Sequence, residues 1–203
     1  MNIFITATNT NIGKTYTTIK LIQYLSNKGY KVGVFKPIET GVDKYPIDGK
    51  KLFDEAKKYN QNLNKLSLND IVPIQFKLPA APIVAGKVDF EKIDKAYKKI
   101  KSECDILLIE GAGGIKVPIN KNFYMFDFIK YFNAKSLLVV QSNLGCINDL
   151  ELNLEFFTPD VWAINLFDDE FYKITYPYLS QKYKNVLIIQ KNLDKIIKNL
   201  GVK

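Results

Sequence analysis

The chain contains no histidine, and every one of its 29 basic residues is lysine. Without imidazole, neither a histidine general base nor a histidine metal ligand is open to it. Without guanidinium, charge developing on a phosphate must be met by lysine, by backbone N–H groups or by a metal ion. Cysteine is scarce as well. Cys104 and Cys146 stand in unrelated contexts with no C-x-x-C pair, so no zinc site or disulfide framework is readable, and two buried reduced thiols are expected. No apolar run approaches the roughly 18 residues that a membrane span needs. The start, "MNIFITATN", lacks the basic segment and small-residue cleavage site of a secretory signal. A cytoplasmic protein with no membrane partner is expected.

What is present is ordinary in amount and specific in order. The chain's 203 residues, 47% apolar and 25% charged, suit one α/β domain over residues 1–203 with a sizeable buried core. The net charge of +8 invites a nucleic-acid reading. The lysines, however, are spread along the chain, with doublets at Lys50–Lys51, Lys57–Lys58 and Lys98–Lys99 on expected helix faces. Nucleic-acid sites usually lean on arginine for bidentate contacts. Solvated helix faces and no nucleic-acid partner are the expectation.

Short apolar runs recur at residues 3–7, 31–35, 106–109, 136–141, 161–166 and 186–189, several of them apolar throughout, as for parallel strands covered on both faces. Between the first two, Thr18, Leu21, Ile22 and Leu25 repeat with helical spacing, and Gly29 stands where that helix ends. Residues 89–103 read as a second helix, with Phe90, Ile93, Tyr97 and Ile100 on one stripe. Strand–helix–strand alternation predicts a parallel sheet with right-handed crossovers. Residues 57–69, rich in Asn, Lys and Leu, are the least readable.

Chemistry gathers at the ends of three of these strands. "TATNTNIGKT" (Thr6–Thr15) nearly matches G-x-x-x-x-G-K-[ST], with Ala7 in the first glycine's place. It follows an apolar strand and opens a helix, where backbone N–H groups face phosphates. Gly13 permits close backbone approach, Lys14 reaches outer phosphates, and the Thr15 hydroxyl takes a magnesium position. Alanine is tolerable at position 7 if its φ is negative. "DILLIEGAGG" ends a buried strand in Glu110, followed by Gly111, Ala112, Gly113 and Gly114, which places a metal-ordering acid on the rim where α/β sheets bind ligands. "VFKPIETG" puts Lys36 at another strand end, stopped by Pro37, with Thr40 and Gly41 in a polar turn beside it.

In the order "TNTNIGKT", "KPIETG", "EGAGG", "NLGCIND", these segments resemble dethiobiotin synthetase over about residues 1–165. The resemblance implies a doubly wound, mostly parallel α/β sheet with helices on both faces, of the P-loop NTPase type. It also implies an ATP-dependent cyclo-ligase of biotin biosynthesis, a homodimer that converts 7,8-diaminononanoate, CO2 and ATP to dethiobiotin, ADP and phosphate. It implies catalytic roles for Lys36, Lys14 and Thr10. Magnesium would be held by Thr15, Asp48 and Glu110. The nucleotide would be lined by Asn11, Ile12, Gly13, Lys14, Thr15, Tyr16, Asp48, Glu110, Gly111, Ala112, Gly113 and Asn165. Thr40 would contact the diamine or its carbamate. Leu144, Gly145, Cys146, Ile147 and Asn148, at a helix start near Asn148, would take the substrate carboxylate across the dimer interface, where unpaired N–H groups favour an anion. The reaction also suits the missing residue types, since an amine attacking CO2 sheds its own proton and lysine with magnesium can neutralise the anions.

The chain departs from the family at Ala7 and at Asn11, where an acid is frequent, and it lacks an Asp after Asn165 and a Pro-Trp after "VLIIQ". Other readings remain open at this point: a partitioning or metal-insertion ATPase, and a nonenzymatic nucleotide-binding module. A small-molecule kinase would usually show an arginine-rich lid. A GTP switch would need N-K-x-D, and the nearest string, "NKNF" at Asn120–Phe123, lacks the acid.

Overall fold

The computed structural model describes residues 1–202. In chain order the elements are β1 (Asn2–Ala7), α1 (Lys14–Asn27), β2 (Val32–Phe35), β3 (Ile38–Thr40), α2 (Ile47–Lys57), a 3-10 turn (Gln61–Lys65), α3 (Leu68–Ile71), β4 (Ile74–Phe76), α4 (Pro82–Ala85) and α5 (Phe90–Lys101). They continue with β5 (Ile106–Glu110), β6 (Pro118–Asn120), β7 (Phe123–Tyr124), α6 (Asp127–Tyr131), β8 (Lys135–Gln141), α7 (Cys146–Phe156), β9 (Val161–Asn165), α8 (Glu170–Ile174), α9 (Tyr176–Lys182) and α10 (Leu193–Asn199).

Five strands form one sheet in the order β2-β5-β1-β8-β9, and every pairing in it is parallel. Because β1 lies in the middle, the chain winds to one side through β2 and to the other through β8 and β9. Helices cover both faces, as the alternation along a strand requires. Leu138, Val140 and Ile164 pack with Cys146 and Leu150 of α7, Phe171 of α8 and Leu179 of α9. Their neighbours Leu137, Val139 and Ala163 pack in the core that contains Ile196 and Ile197 of α10. The doubly wound expectation holds.

The two helices read from the sequence are present. Thr18, Leu21, Ile22 and Leu25 are all fully buried on α1. The helix ends at Gly29, whose φ of 90° lets the chain turn away. On α5, Asp89 caps the N-terminus by accepting from Lys92 N at 3.2 Å. Residues 57–69 complete α2 and enter the 3-10 turn and α3, where Ser67 and Asp70 form a capping box.

Pro37 does follow the end of β2 at Phe35, as expected, and the chain resumes beyond it as β3, paired with β4 in a separate two-stranded sheet. Three expectations need correction. Residues 186–189 make only a single parallel bridge, Ile164 to Ile188, because the chain then turns, with the N–H groups of Lys191 and Asn192 returning to the Ile188 carbonyl at 3.0 and 2.8 Å. Helix α7 starts at Cys146, two residues before the expected position, after Gly145 with φ 93°. Of the two free cysteines, Cys146 is buried but Cys104 only half-buried. No helix among the described residues is long and apolar enough to cross a membrane.

Candidate functional site

The ends of β1, β2 and β5 meet on one rim, with Phe35 opposite Ile109 and Ile5 opposite Glu110. Beyond them opens a cavity of about 600 Å³ whose lining includes Thr10, Asn11, Gly13, Lys14, Thr15, Lys36, Glu39, Thr40, Asp48, Ala112 and Gly113. Eleven residues drawn from four separated segments thus share one space, ten of them anticipated.

The loop is held in an unusual backbone path. Asn11 and Gly13 both adopt left-handed φ, 60° and 95°. Asparagine tolerates that region better than most residues, which accounts for an amide at position 11 rather than a bulkier side chain. Gly13 has no alternative, since a Cβ there would meet Asn165 Nδ2 at 2.0 Å. Ala7 is the last residue of β1, outside the left-handed positions, so the first glycine is dispensable here. The Lys14 ammonium donates to the Asn9 carbonyl at 3.1 Å and is 8% exposed. Burial, with the Lys36 ammonium next, pushes Lys14 down to about 8, while Glu110 and Asp48 act the other way.

Lys36 and Glu110 form a buried ion pair. Lys36 Nζ lies 2.8 Å from Glu110 Oε1, with side chains 4% and 0% exposed. Thr15 Oγ1 donates to Oε1 and Thr18 Oγ1 to Oε2, each at 2.9 Å. Burial alone would push the Lys36 ammonium down, but Glu110, with Asp48 and Glu39 behind it, more than offsets this and holds it above the usual lysine range. Glu39 is raised by its own burial, against the backbone N–H groups of Gly49 and Asp48 that it accepts.

The donor set suits a hard cation. Thr15 Oγ1 and Glu110 Oε1 are oxygens already 2.9 Å apart, and Asp48 shares the cavity. Among the described residues no three acid or cysteine side chains gather into a self-sufficient metal cluster. Magnesium commonly takes one or two carboxylates and completes its shell with water and substrate phosphates, so the residues fit that ion.

The chain's relatives bear on what such a cavity is for. A family model described as an AAA domain matches residues 1–166. The ATP-dependent dethiobiotin synthetase BioD of Sulfurovum sp. (strain NBC37-1) is 40% identical over 208 residues, spanning 98% of this chain and 99% of its own length. The chain belongs to the ATP-dependent dethiobiotin synthetase family. A second dethiobiotin synthetase, from Wolinella succinogenes, is 34% identical over 98% of this chain and 97% of its own. Among solved structures, the signal recognition particle receptor FtsY of Elizabethkingia anophelis superimposes with TM-score 0.54 at 16% identity, over 100% of this chain and 61% of that one. A plasmid partition protein of Borrelia burgdorferi gives TM-score 0.51 at 14% identity, over 98% and 95%. Those two likenesses establish the fold alone.

Not every residue that dethiobiotin synthetases would lend to the site lies in the cavity wall. Glu110 and Gly111 are buried behind it. Ile12 is 3% exposed and packs in the core, and Tyr16 is 40% exposed outside. Asn165 sits behind the loop, donating to the Ile12 carbonyl at 2.9 Å. Leu144, Gly145, Cys146, Ile147 and Asn148 do not line the cavity of this chain.

Sequence reasoning missed Thr18 and Glu39. Thr18 sits on the apolar stripe of α1 and reads as core, yet its hydroxyl holds Glu110. Glu39, 7% exposed, lies inside "KPIETG" between residues that were singled out. One signal pointed to it: α2 opens with Pro46 as N-cap and no side-chain cap, so its first N–H groups require an acceptor from elsewhere.

Proposed function

We propose that this cavity carries out the carboxylation and ring closure of 7,8-diaminononanoate with CO2, consuming ATP and giving dethiobiotin, ADP and phosphate. ATP-dependent dethiobiotin formation follows from the family. The observation that carries the finer reading is the convergence of two buried ammonium groups, Lys14 and Lys36, with Asp48 and Thr40 around one cavity of about 600 Å³, and with Glu110 paired to Lys36 behind its wall. Two anions must be stabilised in turn, a carbamate and the phosphoryl group moving onto it, and two lysines supply charge for both without arginine.

In this reading the N–H groups of Asn11 to Tyr16 and of Gly111 to Gly113 cradle the nucleotide, with Lys14 on its outer phosphates. Thr10 contacts the transferring group from the loop's rim. Lys36, outside the loop, steadies the carbamate as it accepts the phosphoryl group. Thr15, Asp48 and Glu110 would hold magnesium, which supplies compensation for phosphate charge. Thr40 orients the diamine. No histidine base is needed, because the amine becomes acidic as it bonds to CO2.

Residues 144–148 would serve a second copy of the chain. Their place outside this chain's cavity supports the reading, and so does the apolar exposure nearby, with Leu144, Leu152 and Phe156 at 103%, 58% and 43%. The N-terminal N–H groups of α7 would then meet the substrate carboxylate of the neighbouring subunit. Residues 1–203 would act as one domain in the cytoplasm.

The test is phosphate release and dethiobiotin formation from ATP with and without 7,8-diaminononanoate and bicarbonate. Release that depends on both is the expected result. A partitioning ATPase would ignore the diamine. For the shared site, mixing a Lys36 variant with one blocked at Gly145 should restore part of the activity, and verified mixed dimers without any recovery would place the whole site in one chain.

A further inference from the structure

Gln190 is an exposed residue just beyond the single bridge that joins Ile188 to the sheet. It heads a relay of amides that ends at the phosphate loop. Its Oε1 accepts from Leu166 N at 3.1 Å. Its Nε2 donates to Leu166 O at 3.0 Å and to Asn165 Oδ1 at 2.8 Å. Asn165 Nδ2 in turn donates to the carbonyl of Ile12 at 2.9 Å.

The direction of this relay is set at both ends. Leu166 N–H is only a donor, so the Gln190 oxygen must face it and the Gln190 nitrogen must face Asn165. Ile12 C=O is only an acceptor, so the Asn165 nitrogen must face the loop. Reversing either amide would put two acceptors or two donors together. Asn165, 3% exposed, has little room to escape such a clash.

We propose that Gln190 is a positioning residue for the phosphate loop. By fixing the orientation of the Asn165 amide, it holds the Ile12 carbonyl on the side away from the cavity. In a planar trans peptide the N–H points opposite to the C=O. The Gly13 N–H of that same unit is therefore aimed toward the cavity that Gly13, Lys14 and Thr15 line. The side chain of Asn165 also presses on Gly13 where any Cβ would collide, so amide and loop fix each other. The C-terminal segment thereby acts on phosphate binding without touching a phosphate. This inference rests on the reading that the loop binds nucleotide phosphates.

Calorimetric affinities of the full chain for ATP and for inorganic tripolyphosphate, both with magnesium, test it. Gln190→Met keeps the length and removes donor and acceptor; Gln190→Ala serves as a second variant, and thermal melting checks that both fold. Each is expected to weaken ATP and tripolyphosphate by the same factor, about twofold to tenfold, the range for one ordinary hydrogen bond. In an Asn165→Ala background, Gln190→Met should cause no further loss, because its effect passes through Asn165. Loss for ATP alone would make the pair a reader of the base and overturn the inference, as would additive losses or unchanged affinities. If the unaltered chain binds neither ligand, the phosphate-site reading itself fails, and this inference with it.

Discussion

Glu39 reaches from β3 to the start of α2 and accepts hydrogen bonds from the backbone N–H groups of Asp48, at 3.0 Å, and Gly49, at 2.9 Å. It does from nine residues away what an N-cap side chain does locally, and it sets the turn that presents the Asp48 carboxylate to the cavity. Gly49 is required there, since a Cβ would meet Val72 Cγ2 at 2.0 Å. Glu39→Ala should cost about 1–3 kcal/mol for the orphaned N–H groups and raise the magnesium concentration needed for half-maximal turnover. Denaturant titration and a magnesium titration of activity check the two effects. An unaltered magnesium requirement would detach Glu39 from the positioning of Asp48.

The Lys36–Glu110 pair predicts a separation of stability from catalysis. Lys36→Met leaves the fully buried Glu110 carboxylate without its partner and should cost about 3–5 kcal/mol. Adding Glu110→Gln removes the stranded charge and should recover much of that loss, while activity stays abolished. Lys36→Gln should lower kcat for dethiobiotin roughly 10²–10³-fold, as for loss of one preorganised charge, with a much smaller change in nucleotide affinity. Near-normal kcat in that variant would remove Lys36 from the chemistry.

Gly13→Ala should disable the loop on two counts. Its φ of 95° is strained for alanine, and the new Cβ would collide with Asn165 Nδ2. Nucleotide affinity should fall more than about tenfold, equivalent to roughly 1.4 kcal/mol. Calorimetry with magnesium and ATP gives the answer, and full affinity in the variant would mean the loop relaxes without consequence.

At the opposite end of the sheet, Asp160 fastens the starts of β8 and β9. It accepts from Lys135 Nζ at 2.7 Å, Ser136 N at 2.9 Å and Ser136 Oγ at 2.8 Å. Partial burial would raise its carboxyl, but these donors outweigh it and hold the group below its ordinary 3.8. The folded form therefore binds its proton less readily than the unfolded one. The pair's contribution is present above the ordinary value and disappears as pH falls through the lower folded one. Asp160→Asn should cost about 1–2 kcal/mol near neutrality and progressively less in strong acid. Denaturant unfolding of both proteins across that range is the measurement, and a difference that does not shrink in acid would exclude the charge as its source.

What could be read in the sequence was local or periodic. The α1 stripe, the strand ends at Lys36 and Glu110, and the Gly13-Lys14-Thr15 turn each lie within a few residues of their own signal. Glu39, Asn165 and Gln190 act across the fold, and their partners at Asp48, Ile12 and Leu166 are chosen by how strands and turns come to rest. Residues 186–189 illustrate the limit from the other side: their apolar run matches a strand, but a turn at Lys191 and Asn192, outside the run, ends it after one bridge. Thr18 was legible as a helical position and illegible as a ligand of Glu110, because burial and function coincide there.

The central place of β1 also governs when the site comes into being during synthesis. Its six residues are all buried, yet the strands on either side, β5 and β8, begin at Ile106 and Lys135. At about 5–20 residues per second, the phosphate loop leaves the ribosome several seconds to tens of seconds before its neighbours exist. The Asn165 that braces it arrives later still. The rim that β1, β2 and β5 share can therefore form only after the chain has grown past Glu110 and the sheet has closed around β1.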